Sequence, residues 1–268
     1  MRFGHGHECS KCKRKTKWYR LKNEQAYSCP NCGNHLHPQV GTIFEKSRTP
    51  LQLWFYAIFL FTSTRHGVSA KELQRQLGVT YKCAHRMATK IREHMAAVDG
   101  EDMLGGEGEV VQIDETYVGG KAKGKRGRGA ANKTAVLGMV EPDGKVMALV
   151  VPNTSGKTLQ PIIEANIAKG SELQTDEWGA YRGIAKKGYT HKTVNHGAKQ
   201  YVAEDGTTTN AIENFWRHVK CSIKGTHISV SSKHLQSYVK EFEYRFNRRM
   251  RPETMLGELL SRFPELDA

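Results

Sequence analysis

The chain has 268 residues, 38% of them hydrophobic and 9% aromatic, with a formal net charge of +14. That length accommodates a catalytic domain with one or two small modules, and the apolar content excludes a globally disordered chain. The charge is concentrated: residues 1–100 hold 17 Lys/Arg against 6 Asp/Glu, and residues 101–268 hold 24 against 21, so the first hundred residues present the electrostatic footprint for a polyanion, and nucleic acid is the expected partner.

Four of the six cysteines form two pairs, Cys9-Ser-Lys-Cys12 and Cys29-Pro-Asn-Cys32, with sixteen residues between them. This is the spacing of a tetrahedral zinc site, in which each pair makes a tight knuckle with both thiolates turned inward. Gly33 supplies permissive backbone after the second knuckle, and TKWYRLKNEQAYSC between the pairs alternates as a short hairpin. Residues 1–45 are therefore expected to form a zinc ribbon in which Cys9, Cys12, Cys29 and Cys32 hold a structural Zn²⁺. His5, His7, His35 and His37 are near enough in sequence to replace a cysteine, although four thiolates already close the site. A disulfide framework is the alternative, disfavoured in a reducing compartment. Cys83 and Cys221 are expected to be ordinary buried residues.

After Pro50 comes the longest apolar stretch, LQLWFYAIFLF at 51–61. It is shorter than the roughly 20 residues a bilayer span needs and starts too far along for a signal peptide. A buried helix is expected, in a cytoplasmic, nucleoid-associated protein with no membrane partner. In TSTRHGVSAKELQRQLGVTYKCAHRMATKIREHM, Ser69 and Glu72 form a capping box at the start of a helix that Gly78 ends. Val79-Thr80 turns, and a second helix carries Lys82, His85, Arg86, Lys90 and Arg92. The arrangement resembles a helix-turn-helix, whose second helix enters the major groove. Residues 46–98 are thus expected to be a DNA-binding region using Lys82, His85, Arg86 and Lys90; an ordinary helical hairpin with solvated charges is the alternative. The acidic, glycine-rich segment 99–108 reads as a linker.

From residue 109 strand patterns take over. EVVQIDETYVGG reads as a strand and KAKGKRGRGAANK as a basic, glycine-rich loop. TAVLGMVEPDGKVMALVV reads as two strands joined at Pro142-Asp143-Gly144. KTLQPIIEANIAKG follows as a helix, SELQTDEW as a fourth strand ending at Asp176, HKTVNH as a fifth, and two further helices, the last being KHLQSYVKEFEYRFNRR. This is the element order of an RNase H-like fold. The expected class is α+β multidomain: zinc ribbon, helix-turn-helix, and an RNase H-like mixed-sheet catalytic domain over 109–268.

Asp114 interrupts an otherwise apolar strand, where a charge is costly unless it pairs or holds a cation. Strand alternation puts it on one face with Gln112 and Thr116. Asp176 stands at a strand-to-loop transition. Glu213 lies in a helix whose buried stripe is Ile212, Phe215, Trp216, Val219 and Ile223. Lys220 is only ~20° away from Glu213 around that helix and roughly 10.5 Å along it. Three carboxylates on such elements can converge on divalent metal for phosphodiester chemistry. Taken singly, Glu213 also suits an ion pair with Arg217, and Asp176 an N-cap.

The motifs CPNCG (29–33), IDETYVGGK (113–121), TDEWGAY (175–181), VNH (194–196), NAIENFWRHVK (210–220) and HLQSYVKEFEYRFNRR (234–249) resemble those of insertion-sequence transposases of the DDE class with an N-terminal zinc ribbon, the ISXO-type family. The resemblance covers nearly the whole chain. It implies that Asp114, Asp176 and Glu213 are the catalytic triad, binding Mg²⁺ or Mn²⁺, and that Lys220 contacts DNA beside it. It further implies binding of double-stranded DNA, both transposon terminal repeats and target, by a homo-oligomer. Two-metal nicking of the element's end, then attack of the freed 3′-OH on target DNA, is the chemistry such a triad serves. Two other readings stand beside it: a zinc-ribbon/helix-turn-helix regulator with an inactive second domain, and a nuclease of the same fold that does not join strands. SGKT at 155–158 is no phosphate loop, because Val151 replaces the required first glycine, and HECSK at 7–11 lacks the second histidine of a zinc protease.

Overall fold

The computed structural model of the protein describes residues 6–24, 26–100, 102–119, 133–194, 203 and 206–262. The basic KGKRGRG loop, Asn195, His196 and His5 lie outside these residues. Strands β1 (Tyr19–Arg20), β2 (Tyr27–Ser28) and β3 (His35–Leu36) make a small antiparallel sheet beside the cysteines. The expected hairpin is β1–β2, and β3 extends it after the second cysteine pair.

Three helices follow: α1 (Leu51–Ser63), α2 (Ala70–Leu77) and α3 (Tyr81–Asp99). Only one side of α1 is buried, through Trp54, Ala57, Ile58 and Phe61, whereas Phe55, Tyr56 and Phe59 are exposed. The expected buried helix is thus buried along one stripe only, because a helix with one neighbouring layer can hide only one stripe. At α2, Ser69 Oγ accepts from the Glu72 N–H at 3.1 Å. The reciprocal half of the capping box is replaced, since the Glu72 carboxylate accepts from Arg75 and Gln76 instead. Gly78 ends α2 in the left-handed region (φ 64°). Cys83 is half-buried against Thr49, and Cys221 is exposed rather than buried, because it lies on the outer side of its helix.

The described residues of the segment expected as a linker are held by hydrogen bonds to their surroundings. Asp99 closes α3, Leu104 is buried and exchanges backbone bonds with Asn166 and Ala168, and the Gly105 N–H donates to Glu141 Oε1 at 2.8 Å.

The main sheet is mixed. Its strands are β4 (Val110–Gly119), β5 (Lys133–Val140), β6 (Val146–Val151), β7 (Glu172–Asp176) and β8 (Thr190–Val194), in the order β6-β5-β4-β7-β8. The first three pair antiparallel, and β7 and β8 add parallel. The first strand of the sheet is therefore central and carries two cores by alternation. Val111 and Ile113 pack toward α4 (Gly156–Asn166) with Leu159 and Ile163. Val118 packs on the other face, with Ile212, Phe215 and Trp216 of α5 (Asn210–Ser222) and Val239 of α6 (Ser232–Asn247). Tyr244 of α6 and Met255 and Leu259 of a last helix, α7 (Thr254–Ser261), complete the core around α1–α3.

Candidate active site and nucleic-acid interface

Strand pairing fixes the two aspartates. β4 and β7 run parallel with Gln112 opposite Gln174; carried two residues on, that register sets Asp114 level with Asp176 on the same face. On the other flank, Asp114 pairs with Gly138 of β5. A Cβ at Gly138 would stand 2.4 Å from the Trp216 ring, so this glycine lets α5 lie close over the sheet. Asp176 Oδ1 accepts from the Trp178 N–H at 2.9 Å, a local turn that ends the strand.

Glu213 is brought to this face by two glutamines that sequence reasoning gave no role. The buried Gln112 places Oε1 where it accepts from the N–H groups of Ala211 (2.9 Å) and Ile212 (3.3 Å). Helix α5 has no side-chain N-cap of its own, so a strand residue satisfies its first free donors. Gln174 Oε1 accepts from the Thr208 N–H at 3.2 Å. The first turn of α5 is thereby tied to β4 and the residues just before it to β7, two residues before each aspartate. The sequence does hold a signal for this: both aspartates stand in a Gln-x-Asp triplet, QID at 112–114 and QTD at 174–176.

Glu213 itself is exposed, and its Oε1 accepts from Thr209 Oγ1 at 3.1 Å. Arg217, the candidate ion-pair partner, donates to Asn214. Lys220 is exposed on the side of α5 that carries Glu213. Burial, then the charges of Glu115, Asp176 and Glu213, push the Asp114 carboxyl up to about 7. Glu115 points to the opposite face, where its carboxylate accepts from the Tyr181 hydroxyl at 2.5 Å. What confronts Asp114 across the site is thus more carboxylate, an arrangement that a cation relieves. An all-oxygen donor set suits a hard ion such as Mg²⁺ or Mn²⁺. Among the described residues the three carboxylates do not all lie within 4.8 Å of one another. They do not form a closed cage for one ion.

The cysteine site is compact by comparison. The sulfurs of Cys9, Cys12, Cys29 and Cys32 all lie within 4.8 Å of one another. The Cys9–Cys32 and Cys12–Cys29 separations are 3.6 and 3.8 Å, close to the ~3.8 Å edge of a tetrahedron with ~2.3 Å Zn–S bonds. Both knuckles share one backbone pattern: Lys13 N–H donates to the Cys9 carbonyl and Gly33 N–H to the Cys29 carbonyl. Each of those residues has positive φ, 55° at Lys13 and 68° at Gly33. The thiols share their protons unevenly: the Cys12 backbone N–H directed at the Cys9 sulfur leads the effects that pull Cys9 down to about 6, while Cys32, against the pull of the Asn34 backbone N–H, is held up at about 11 by burial and the neighbouring thiols, a crowding that a cation among the four sulfurs would relieve. The four residues fit a structural zinc ion.

Lys82, His85, Arg86 and Lys90 all border one basic cavity of about 1050 Å³, together with Lys46 and Arg48. Thr80 caps α3 at the same end, its hydroxyl accepting from the Cys83 N–H. Arg92 does not join them. It is 2% exposed and donates to Glu241 Oε2 at 2.7 Å, with Arg245 bound to the other oxygen of the same carboxylate. Ten residues from Lys82, it has rotated to the inner side of α3, where it ties α3 to α6.

Comparison with known proteins identifies the family. A relative from Haemophilus influenzae, described as an uncharacterized transposase-like protein, is 34% identical over 103 residues, which is 38% of this chain and 81% of the relative. An uncharacterized protein in transposable element ISH50 of Halobacterium salinarum is 25% identical over 267 residues, 91% of this chain and 87% of the relative. A solved pre-cleavage Mos1 transpososome covers 84% of the chain, and 82% of its own, at 9% identity with a TM-score of 0.29, too low to define a shared fold. The family described as the ISXO2-like transposase domain matches residues 103–247. That is more than half of the chain, and the protein belongs to this transposase family.

Proposed function

We propose that the protein is a DDE transposase that binds the ends of an insertion sequence and carries out metal-dependent DNA cleavage and strand transfer. What supports this reading is that the Asp114 carboxyl is pushed up to about 7, by burial first and then by carboxylate neighbours that include Asp176 and Glu213, on strands that Gln112 and Gln174 tie to the start of α5. Divalent metal held by these three carboxylates supplies Lewis-acid activation and stabilises the leaving oxygen. Asp114 and Asp176 present ligand oxygens from strands whose register is locked. Gln112 and Gln174 hold Glu213 at the proper height above them. Lys220 reaches the DNA phosphates that flank the scissile bond. The zinc ribbon (1–45) and helix-turn-helix (46–98) grip the DNA ends, with Lys82, His85, Arg86 and Lys90 in the groove and the thiolate-bound zinc as a structural element. The RNase H-like domain (109–268) performs the chemistry in a homo-oligomer on DNA.

The test is an assay of the full-length protein with Mg²⁺, a duplex carrying the element's terminal repeat, and a supercoiled target. Nicked ends and joined products are expected. Cleavage without joining would leave a nuclease, and binding without either would leave the regulator.

A further inference from the structure

Two histidines beside the cysteine site take no part in it. His35 and His37 lie just past the second knuckle, but four thiolates close that site and leave them no position. They form a His-Leu-His triplet in which both histidines are exposed and Leu36 is half-buried. Strand alternation therefore turns the two imidazoles to one face. Pro38 prolongs the alternation, because the residue before a proline is biased to extended backbone. His37 thus continues the line of β3 beyond its last paired residue.

A carboxylate reaches the same face from the neighbouring turn. β2 and β3 pair antiparallel, with Tyr27 opposite Leu36 and Ser28 opposite His35. One step further, that register sets His37 level with Ala26, at the foot of the β1–β2 turn that holds Glu24. Glu24 Oε2 lies 3.7 Å from His35 Nδ1. One donor atom each from Glu24, His35 and His37 lies within 4.8 Å of the other two. The edge of a tetrahedron with ~2.1 Å bonds is ~3.4 Å, and small rotations of three exposed side chains close the difference. An ion pair of Glu24 with His35 accounts for two of these groups but not for His37, whose ring stands edge-on to that of His35 at 6.3 Å. Among the described residues, Glu24 makes no ion pair with a lysine or arginine, although it lies in the basic first hundred residues.

We infer that Glu24, His35 and His37 form a second metal site on the ribbon, which binds Zn²⁺ weakly and exchangeably. Two imidazoles with one carboxylate suit zinc, whereas the hard ions fitted to the Asp114 site prefer oxygen alone. Three protein ligands leave a coordination position to water, so this ion is held less tightly than one enclosed by four thiolates and is lost on purification. When bound, it pins the exposed tip of the β1–β2 turn to β3, and the hairpin stiffens as free zinc rises. The inference stands apart from the transposase chemistry and does not depend on it.

The test titrates Zn²⁺ into full-length protein that carries its thiolate-bound zinc and no polyhistidine tag, in saturating Mg²⁺ to occupy the Asp114 site. Equilibrium dialysis should return a second zinc per chain, bound in the micromolar range and removed by gel filtration. In the same titration, NMR should show the imidazole nitrogens of His35 and His37 shifting together, which separates this site from zinc displacing Mg²⁺ at the carboxylates. His35→Ala, His37→Ala and Glu24→Gln should each keep the first zinc. Each should weaken the second by at least the roughly tenfold that loss of an outer-shell partner costs. No second zinc at millimolar concentration, a second zinc that survives in both histidine variants, or movement of only one of the two imidazoles overturns the inference.

Discussion

The cysteine and carboxylate sites proposed for this protein are built on opposite principles. The cysteine site is local and finished: two knuckles with the same backbone pattern bring four sulfurs to tetrahedral separations. The carboxylate site is non-local and strained. It draws on β4, β7 and α5, and burial with neighbouring negative charge keeps Asp114 near neutrality. A closed site serves stability because no coordination position is left over. An open site of crowded carboxylates costs stability in the empty protein and recovers it when cations and substrate arrive.

The largest effect that would break this comparison lies at the zinc. Apparent binding energies of structural zinc sites are on the order of 10 kcal/mol, and a module this small has little other core to hold it. Metal analysis of protein never exposed to chelator should return about one zinc per chain, and Cys29→Ser should return none. NMR of that variant should show residues 6–36 unfolded while the five-stranded sheet persists. Zinc-free protein with two disulfides would remove the site.

Carboxylate substitutions should act with opposite signs on activity and stability. Asp114→Asn, Asp176→Asn and Glu213→Gln each remove metal-holding charge, costing several kcal/mol of transition-state stabilisation, or roughly a thousandfold in cleavage rate. DNA binding by gel shift should persist. Asp114→Asn should also raise the melting temperature of the metal-free protein. Because the folded-state value of Asp114 is raised from 3.8 to about 7, the folded chain holds a proton that the unfolded chain has lost between those limits. Stability from this group therefore falls as pH rises through that window. Metal competes with the same proton, so Mn²⁺ affinity measured by electron paramagnetic resonance should climb with pH and level off above about 7. A flat profile would mean that Asp114 is not a ligand.

The glutamines offer a sharper cut. Gln112→Leu leaves the Ala211 and Ile212 N–H groups without their acceptor, whereas Gln112→Glu keeps an oxygen there. Outer-shell partners of metal ligands typically matter by 10–100-fold, so Gln112→Leu should lose roughly that much Mn²⁺ affinity and cleavage, with partial rescue in Gln112→Glu. A loss of thermal stability with unchanged metal affinity would make Gln112 a packing residue only.

How far the sequence foretold these features follows the same divide. The knuckles were legible because ligand spacing and backbone geometry sit within a few residues. Strand alternation placed Asp114 and Gln112 on one face, and the stripe of Ile212, Phe215 and Trp216 showed which side of α5 is buried. The cap that Gln112 gives α5 was not legible, because it joins residues 99 apart and nothing local reveals a donor waiting there. The inward turn of Arg92 was not legible for a related reason. In sequence it is one more cation on a basic helix, and only the arrival of Glu241 from α6 shows why it turns inward. Likewise, periodicity gave little sign that α1 keeps Phe55, Tyr56 and Phe59 outside, because only Gln52 and Ser63 mark that stripe as polar.

Lys220 should give the smallest effect of the series, and it tests whether α5 carries a DNA contact as well as a ligand. Its side chain is exposed, two helical turns beyond Glu213 and ~20° around the axis. At that distance it cannot share a metal with Glu213, but it can meet a phosphate on the strand being cut. A phosphate contact of this kind positions DNA without specifying sequence. Lys220→Ala should therefore weaken binding about equally for different sequences and lower the salt slope by roughly one, with cleavage at saturating DNA reduced far less than in the carboxylate variants. Lys220→Arg, which keeps the charge, should restore most of the slope. If Lys220→Ala abolished cleavage while the salt slope stayed unchanged, the lysine would belong with the metal-binding carboxylates in the chemical step, and α5 would hold two catalytic groups instead of one.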